Sequence, residues 1–397
     1  MQGERQGWLP CLLGGAVFVV CMAGTTLPTP LYPLYQEKFG FSELTVTVVY
    51  AVYAFGVIAV LLLAGNASDT IGRRPTLLWG LGFSAASAIC FLCADTVGWL
   101  YAGRLLSGLS AGLFTGAATV YVMELAPRGG ESRATLVATA ANMGGLGCGP
   151  LLAGVLAEYA PEPLLLPFAV HLALVAVSAV VLLRLPETVR ERKPLSAVRP
   201  RRPALPAQVR AAFVPAAIAS FVGFALFGVF TSVSPAFLAR YLHVDNHAVS
   251  GLVVALAFFA STAGQLAVGR VGVARSLTLG CAVLFAGLVL LAAALYTDLL
   301  VLIVLSAVVG GAGQGLAFRA ALSSVAAAAP AGQRAAVVST LFVVAYTGIS
   351  IPVIGVGLLA DPLGLEGAGL VFIACMLLLV ASAAAYLIRR QVTVRNP

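Results

Sequence analysis

Charged side chains inside long apolar runs are the first candidates for chemistry in this sequence. Arg104 lies near the middle of such a run, WLYAGRLLSGLSAGL. A charge at the centre of a membrane-spanning helix costs about 2.5 to 3.5 kcal/mol even on lenient insertion scales. We therefore expect Arg104 to face a water-filled cavity or a partner, or to lie against backbone carbonyls for structural reasons.

A second group of charged residues follows in the segment GNASDTIGRRPTLL. Asp69, at a predicted membrane boundary, can pair with Arg73 and meet the positive end of a neighbouring helix dipole. Gly65 and Gly72 permit a tight turn and a close approach of helices, and Arg74 adds a second positive charge. The alternative is that Arg73 and Arg74 only anchor the membrane topology.

Polar and aromatic side chains on other helices could line a substrate cavity. The segment TTLPTPLYPLYQ combines three prolines with hydroxyl groups, and FVGFALFGVFTSVSP carries aromatic residues at every third place. An aromatic stripe of this kind suits packing or lipid contact, or else an apolar cargo. Besides Arg104, the candidate substrate or coupling residues are Thr29, Tyr32, Tyr121, Asn142 and Phe227.

The sequence offers little for catalysis, cofactors or metals. It has no Gly-Lys-Ser/Thr phosphate loop, so we do not expect ATP to be its energy source, and we expect no enzyme activity. His243 and His247 flank Asp245 in a predicted external loop, and we expect no metal there. His171, alone in a predicted helix, is expected to be buried in packing.

Proton coupling requires a group that can lose its proton. No Asp or Glu lies near the middle of a predicted span, so the candidates are boundary carboxylates or Arg104 acting with Tyr32 or Tyr121. The boundary carboxylates are Glu37 and Glu43 on the outer side and Asp69 and Glu124 on the inner side.

Composition identifies the elements that must position these residues. Of 397 residues, 60% are hydrophobic and 10% are charged, and the mean hydropathy is +1.01, which excludes a soluble domain. Apolar runs of 18 or more residues are long enough to cross a bilayer as helices. We predict spans at 10–33, 45–64, 76–95, 98–125, 134–157, 164–184, 212–238, 248–268, 276–296, 299–326, 335–359 and 366–388, the first of them retained rather than cleaved.

The basic residues are sorted by loop, which predicts orientation rather than nucleic-acid binding. Only Lys38 and Arg240 fall on one side of these spans, while Arg104 and Arg319 fall within helices. The other side holds Arg5, Arg73, Arg74, Arg128, Arg133, Arg184, Arg190, Arg192, Lys193, Arg199, Arg201, Arg202, Arg210, Arg270, Arg275, Arg334, Arg389, Arg390 and Arg395. Positive loops stay in the cytoplasm, so we predict a multi-pass protein of the inner or plasma membrane with both termini cytoplasmic.

A basic, proline-rich stretch at 185–211 divides the spans into two sets of six. We predict bundles at 1–184 and 212–397, joined by this cytoplasmic linker. Three segments of the first bundle are echoed in the same order about 200 residues later; for example, GNASDTIGRR corresponds to GQLAVGRVGVAR. Gly269 occupies the place of Asp69 in that echo.

These motifs resemble the major facilitator family, and in particular its drug and proton antiporter branch. The match covers the loop signature at Gly65, Asp69, Gly72, Arg73 and Arg74, with Thr70 where a basic residue is usual, and the fourth-helix motif at Arg104, Gly108 and Gly112. It continues with Glu124, Pro127 and Arg133 at the end of that helix and in the loop after it. The Gly-Pro signature follows at Gly145, Gly149, Pro150 and Gly154. In the family pattern two residues separate the proline from two adjacent glycines, whereas here three residues separate Pro150 from the single Gly154.

The resemblance implies a fold and a class of function. The fold is an all-α membrane protein of about 12 transmembrane helices, in two six-helix bundles related by pseudo-twofold symmetry. The resemblance implies a cytoplasmic latch that holds the outward-facing state, formed by Gly65, Asp69, Gly72, Arg73, Arg74, Glu124 and Arg133. It also implies that Arg104 serves substrate binding or proton coupling.

The function implied is proton-coupled efflux of small, partly hydrophobic compounds by a monomer in membrane lipid. Uptake of a small metabolite or sugar by symport or facilitated diffusion, and a non-transporting membrane sensor, remain alternatives.

Overall fold

The computed structural model describes residues 7–200 and 202–395, which form helices and connecting turns without a strand. Four of the basic residues used above to predict orientation fall outside that description: Arg5 and Arg201 entirely, and Arg390 and Arg395 as side chains. The remaining basic residues can be placed in the fold.

The first half of the described chain contains helices that proline and glycine interrupt at defined points. Their bounds are α1 Leu9–Thr26, α2 Tyr32–Phe39, α3 Glu43–Leu63, α4 Ala67–Thr70, α5 Arg73–Leu92, α6 Val97–Glu124, α7 Glu131–Thr139, α8 Gly145–Tyr159 and α9 Leu166–Arg184. Pro28 and Pro30 lack the N–H groups that would continue α1, so a short 3-10 turn leads into α2. A π-helical turn at Ala140–Gly144 joins α7 to α8.

The second half follows a segment, 185–209, whose described residues contain only two short 3-10 turns. Its helices are α10 Arg210–Ser232, α11 Ser234–Arg240, α12 His247–Val271, α13 Val273–Thr297, α14 Leu300–Ala328 and α15 Arg334–Arg395. Gly364 divides α15, because its φ of 72° and ψ of 166° are not helical. Glycine alone adopts such angles without strain.

The described residues contain 11 helical stretches that are long and apolar enough to cross a membrane. The last one, Arg334–Arg389, has 56 residues. A straight helix of that length would measure about 84 Å, far more than the roughly 30 Å of a bilayer core. The break at Gly364 therefore divides this stretch into two membrane-spanning helices. The prediction of about 12 transmembrane helices is confirmed.

The fold is all-α, with two six-helix bundles, as predicted. In the first bundle α6 packs against α3 and α5, and in the second α14 packs against α12 and α13. The bundles meet through two helix pairs, α3 with α15 and α8 with α12. We call the end at which α9 ends and α10 begins the linker end, and the opposite end the far end.

Candidate functional site

A cavity of about 280 Å³ lies between the two bundles. Its deep part is aromatic and buried: Tyr50 and Tyr53 come from α3, Phe224 and Phe227 from α10, and Phe258 from α12. Phe318, Phe342 and Tyr346 complete the aromatic wall. A wall of this composition favours a ligand with an apolar or aromatic body.

The cavity extends toward the linker end. Leu61, Leu322 and Val338 line it near the linker ends of their helices, and these side chains are half-buried rather than buried. The buried aromatic residues lie deeper, toward the middle of the helices. The cavity is therefore accessible from the linker end and closed behind its aromatic wall.

Polar groups are few in this wall, and they are mostly uncharged. Thr115 and Thr119 come from α6, Asn142 from the π-helical turn, and Gln265 and Gln314 from α12 and α14. The described lining residues include one charged side chain, Arg319, and no carboxylate. Within residues 7–200 and 202–395, the Arg319 side chain has no hydrogen-bond or ion-pair partner.

Only one of the two polar atoms of the Gln314 amide has a hydrogen-bond partner among the described residues. Its Oε1 atom accepts a hydrogen bond of 2.6 Å from the Ser261 hydroxyl, while its Nε2 atom has no partner among the described residues. The residue is 1% exposed and lines the cavity. A buried amide donor without a described partner therefore lies beside the deep part of the cavity.

Arg104 is buried, but it does not line the cavity. One guanidinium nitrogen donates to the Thr25 carbonyl at 2.6 Å and another lies 3.5 Å from the Tyr50 carbonyl. The guanidinium carbon lies 5.1 Å from the centre of the Tyr50 ring and 4.6 Å from that of Tyr53. Arg104 thus supports two tyrosines of the cavity wall from behind.

The local structure explains how this charge is accommodated. Thr25 is in the last turn of α1, where carbonyls lose their regular helical partners, so an arginine donor satisfies one of them. Gly108 lets α6 approach α3, because a Cβ at that position would overlap the Tyr53 carbonyl. Backbone acceptors and two ring faces together offset the desolvation of the guanidinium.

The other predicted substrate residues divide into two groups. Asn142 and Phe227 line the cavity, and the Phe227 ring lies 4.6 Å from that of Phe258. Thr29 and Tyr32 are buried outside the lining. Tyr121, one of the two tyrosines considered as a partner of Arg104, lies elsewhere: its hydroxyl donates to the Pro186 carbonyl at 2.7 Å, at the linker end.

Three of the predicted latch residues, Asp69, Arg73 and Glu124, form a cluster at the linker end, centred on Arg73. Its guanidinium donates to Asp69 at 2.5 Å, to Ser68 at 2.8 Å and to both Glu124 oxygens at 3.1 and 3.2 Å. The Arg73 side chain is 9% exposed, so two carboxylates balance a largely buried charge. These partners of Arg73 all belong to the first bundle.

Glu187, at the start of the linker, is a member of this cluster that sequence reasoning missed. Its carboxylate accepts from the backbone N–H groups of Arg73 at 3.0 Å and Arg74 at 3.1 Å, and it pairs with Arg192 at 3.4 Å. Unsatisfied N–H groups at the start of α5 attract an anion. The only sequence signal was a glutamate amid basic residues.

Gly72 makes this arrangement possible, whereas Arg133 does not take part in it. The φ of Gly72 is 111°, and a Cβ there would lie 2.7 Å from a Glu187 oxygen. Arg74 donates to the Leu183 carbonyl at 2.6 Å, and Gly65 lies in the turn before α4. Arg133 is exposed and has no described partner, contrary to our expectation that it belongs to the network.

The glycines of the Gly-Pro motif bring α8 against both α1 and α12. A Cβ on Gly145 would lie 2.7 Å from the Met22 Cβ atom, and one on Gly149 would overlap the Ala23 carbonyl. Gly154 has no room for a Cβ because the His247 carbonyl of the second bundle lies against it. The motif therefore forms part of the contact between bundles.

The far end is closed by polar contacts between the bundles as well. Glu43 and Arg240 form an ion pair of 2.6 Å, and Glu43 also accepts from Gln36 at 3.1 Å. Glu158 accepts from the backbone N–H of His247 at 2.9 Å. Together with the glycine contacts, these bonds join the bundles at the end opposite the opening of the cavity.

Comparison with known proteins agrees with this architecture. A family model described as Major Facilitator Superfamily matches residues 14–297. The puromycin resistance protein pur8 of Streptomyces alboniger is 32% identical over 157 residues, which are 39% of this chain and 31% of that protein. Multidrug resistance protein 1 of Bacillus subtilis (strain 168) is 28% identical over 171 residues, 42% of this chain and 43% of that protein.

These alignments span less than half the length of either relative. A crystal structure of a POT peptide transporter in complex with sulfate covers 98% of this chain and 95% of its own, with a TM-score of 0.78 at 16% identity. That likeness concerns the fold.

Proposed function

We propose that this chain, which belongs to the Major Facilitator Superfamily, exports small, partly hydrophobic compounds by alternating access in exchange for protons. Membership makes it a multi-pass membrane transporter. The observation that carries the finer proposal is the aromatic cavity between two bundles, open at one end and closed at the other. The names of the matched relatives, puromycin resistance and multidrug resistance, support efflux.

The orientation follows from the distribution of charge. The described basic loop residues lie mainly at the linker end, and basic loops remain in the cytoplasm. The linker end and both termini are then cytoplasmic in the inner or plasma membrane, and the structure corresponds to the inward-facing state. In this state a cytoplasmic compound can enter the cavity directly.

The two bundles would move as units about the cavity, with boundaries at 1–184 and 212–397 and the 185–211 segment as their tether. Outward opening requires loss of the far-end contacts and closure of the linker end. The Arg73 cluster, as a latch, would stabilise the start of α5 while the linker end opens and closes. Arg104 acts in this scheme as a positioning residue for Tyr50 and Tyr53.

Glu43 is placed to gate the far end. It was among the boundary carboxylates that the sequence suggested, its side chain is 10% exposed, and its partner Arg240 belongs to the other bundle. Gln36, its second partner, belongs to the same bundle as Glu43. Opening of the far end would therefore break the contact with Arg240 and keep the contact with Gln36.

Transport in inside-out vesicles tests the proposal. A pH gradient, acid inside the vesicle lumen, would be imposed and a panel of cationic, neutral and anionic aromatic compounds would be offered outside. We expect lumenal accumulation of at least one compound, abolished by a protonophore. Absence of gradient-dependent movement for every compound would overturn proton-coupled efflux.

Uptake by symport or facilitated diffusion is the second candidate. The hydroxyl and amide groups of Thr115, Thr119, Asn142 and Gln265 favour it, since a polar metabolite needs such partners. Right-side-out vesicles distinguish the two directions, because only an uptake system would accumulate the compound in them.

A further inference from the structure

The charges around the cavity are unbalanced. The described lining residues contain one cation, Arg319, and no Asp or Glu. Basic residues also outnumber acidic ones in the loops at the linker end, through which a compound would enter. Such a field raises the local concentration of anions and lowers that of cations.

Two donors on α14 are available for a ligand. Gln314 is 1% exposed with its Nε2 atom unpartnered, and Arg319 is half-buried without an ion-pair partner among the described residues. They are five positions apart in the sequence, which corresponds to a rise of about 7.5 Å along the helix axis. Because α14 runs toward the linker end, Arg319 lies nearer the mouth and Gln314 deeper.

The wall beside and beyond these donors is apolar. Phe224, Phe227, Phe258 and Phe318 line it together with Tyr50 and Tyr53. A permanently cationic cargo would find ring faces there but no carboxylate, and it would be repelled by Arg319. An anionic cargo would find a guanidinium that can bind a carboxylate with two hydrogen bonds.

We propose that the cavity binds an amphipathic organic anion: its acidic group on Arg319 near the mouth, its aromatic body among the phenylalanines, and an acceptor oxygen on the Gln314 amide. This inference rests on the proposed transport function and names the substrate class of the same cavity. The volume of about 280 Å³ lies just below the range of about 300 to 1,000 Å³ that is usual for ligand pockets, so the cargo must be small.

The head group is tested with three probes of one shape. They are 6-methoxynaphthalene-2-acetate, its neutral amide and the corresponding ethylammonium cation, measured by equilibrium dialysis against the purified full chain in nanodiscs. We expect the anion to bind at least ten-fold more tightly than the cation. Arg319→Gln should abolish this preference and Arg319→Glu should reverse it, while Arg133→Gln, which removes an exposed arginine outside the cavity, should preserve it.

The deep contact is tested separately with Gln314→Met, which keeps the side-chain length but not the amide. This variant should lose affinity several-fold for the methoxy anion and should bind naphthalene-2-acetate, which lacks the acceptor oxygen, as wild type does. Equal losses for both compounds would overturn the Gln314 contact. Size-exclusion profiles identify any variant that fails to fold, and Gln314→Asn then serves in its place.

Binding measurements test the anion site, and vesicle transport tests export, so the two can fail separately. Tighter binding of the cation, or an anion preference unchanged in Arg319→Gln, would overturn the anion site. The vesicle assay with the wider panel would still report transport if the protein is an exporter of another compound class. Loss of all gradient-dependent transport would overturn the exporter instead.

Discussion

Glu43 at the start of α3 and Arg240 at the end of α11 form a 2.6 Å ion pair that joins the two bundles at the far end. Arg240 is 55% exposed as a side chain, so water screens the pair and its strength is about 1 kcal/mol at most. A contact of that size suits a gate, since it biases an equilibrium without locking it.

Glu43→Gln is therefore expected to open the far end about five-fold more readily. The neutral amide keeps the shape of the side chain but has no charge to attract Arg240. Distances between spin labels placed across the far end measure the open fraction. Glu37→Gln is the control, because Glu37 is exposed at the same end without a described partner. Identical distance distributions for Glu43→Gln and wild type would remove Glu43 from the far-end gate.

Asp69→Asn is expected to slow turnover by up to about five-fold while leaving ligand binding intact. Asp69 is 58% exposed, so its ion pair with Arg73 is worth about 1 kcal/mol at most, and Glu124 still balances Arg73. Turnover and equilibrium binding would be measured on the same preparation. Arg133→Gln, a charge change outside the cluster, should leave both unchanged. Wild-type turnover in Asp69→Asn would contradict the latch.

Glu187→Gln is expected to lower the stability of the protein by about 1 kcal/mol, because α5 loses the anion at its N-terminus. In a protein of this size the unfolding temperature should fall by about 1 to 2 °C. Thermal unfolding in detergent measures the shift. The matched control is Glu191→Gln, four residues along the linker and exposed without a described partner. An equal shift in both variants would show that Glu187 has no special role at α5.

Gly154→Ala is expected to reduce transport at least ten-fold. The added methyl group would overlap the His247 carbonyl across the bundle interface, and overpacking of this kind costs about 1 to 3 kcal/mol. The far end could then not close fully, and the inward-facing state would be depleted. Gly144→Ala adds the same atom where nothing lies within 4 Å, and it should transport normally. Equal activities would show that this contact does not control the cycle.

Arg104→Ala is expected to abolish transport without loss of folded protein from the membrane. Its removal takes away the donor to Thr25 and the support behind Tyr50 and Tyr53, but it also removes a buried charge. Arg104→Lys should remain strongly impaired, because an ammonium cannot reproduce the planar contacts of a guanidinium. Membrane yield, KM and turnover would be compared with wild type. Full activity in Arg104→Ala would remove it from the transport machinery.

The sequence by itself predicted the helices, the two bundles and the i,i+4 pair of Asp69 and Arg73. Each of these depends on properties of neighbouring residues: hydrophobic length must match the bilayer, and a glycine turn can bring together opposite charges that are close in the sequence. The glycines at 145, 149 and 154 likewise predicted close packing, since no side chain can fill that space.

Only the tertiary structure decided which side chains from distant helices meet. It placed Arg104 behind the tyrosines of the wall and Arg319 in the cavity wall itself. It also showed that Tyr121 donates to the Pro186 carbonyl and that Glu187 binds the N-terminus of α5. Each of these depends on how far one helix is rotated and shifted against another. Hydrophobic periodicity leaves that rotation undetermined in a membrane, because lipid and protein interior are equally apolar; packing of small residues and buried hydrogen bonds decides it.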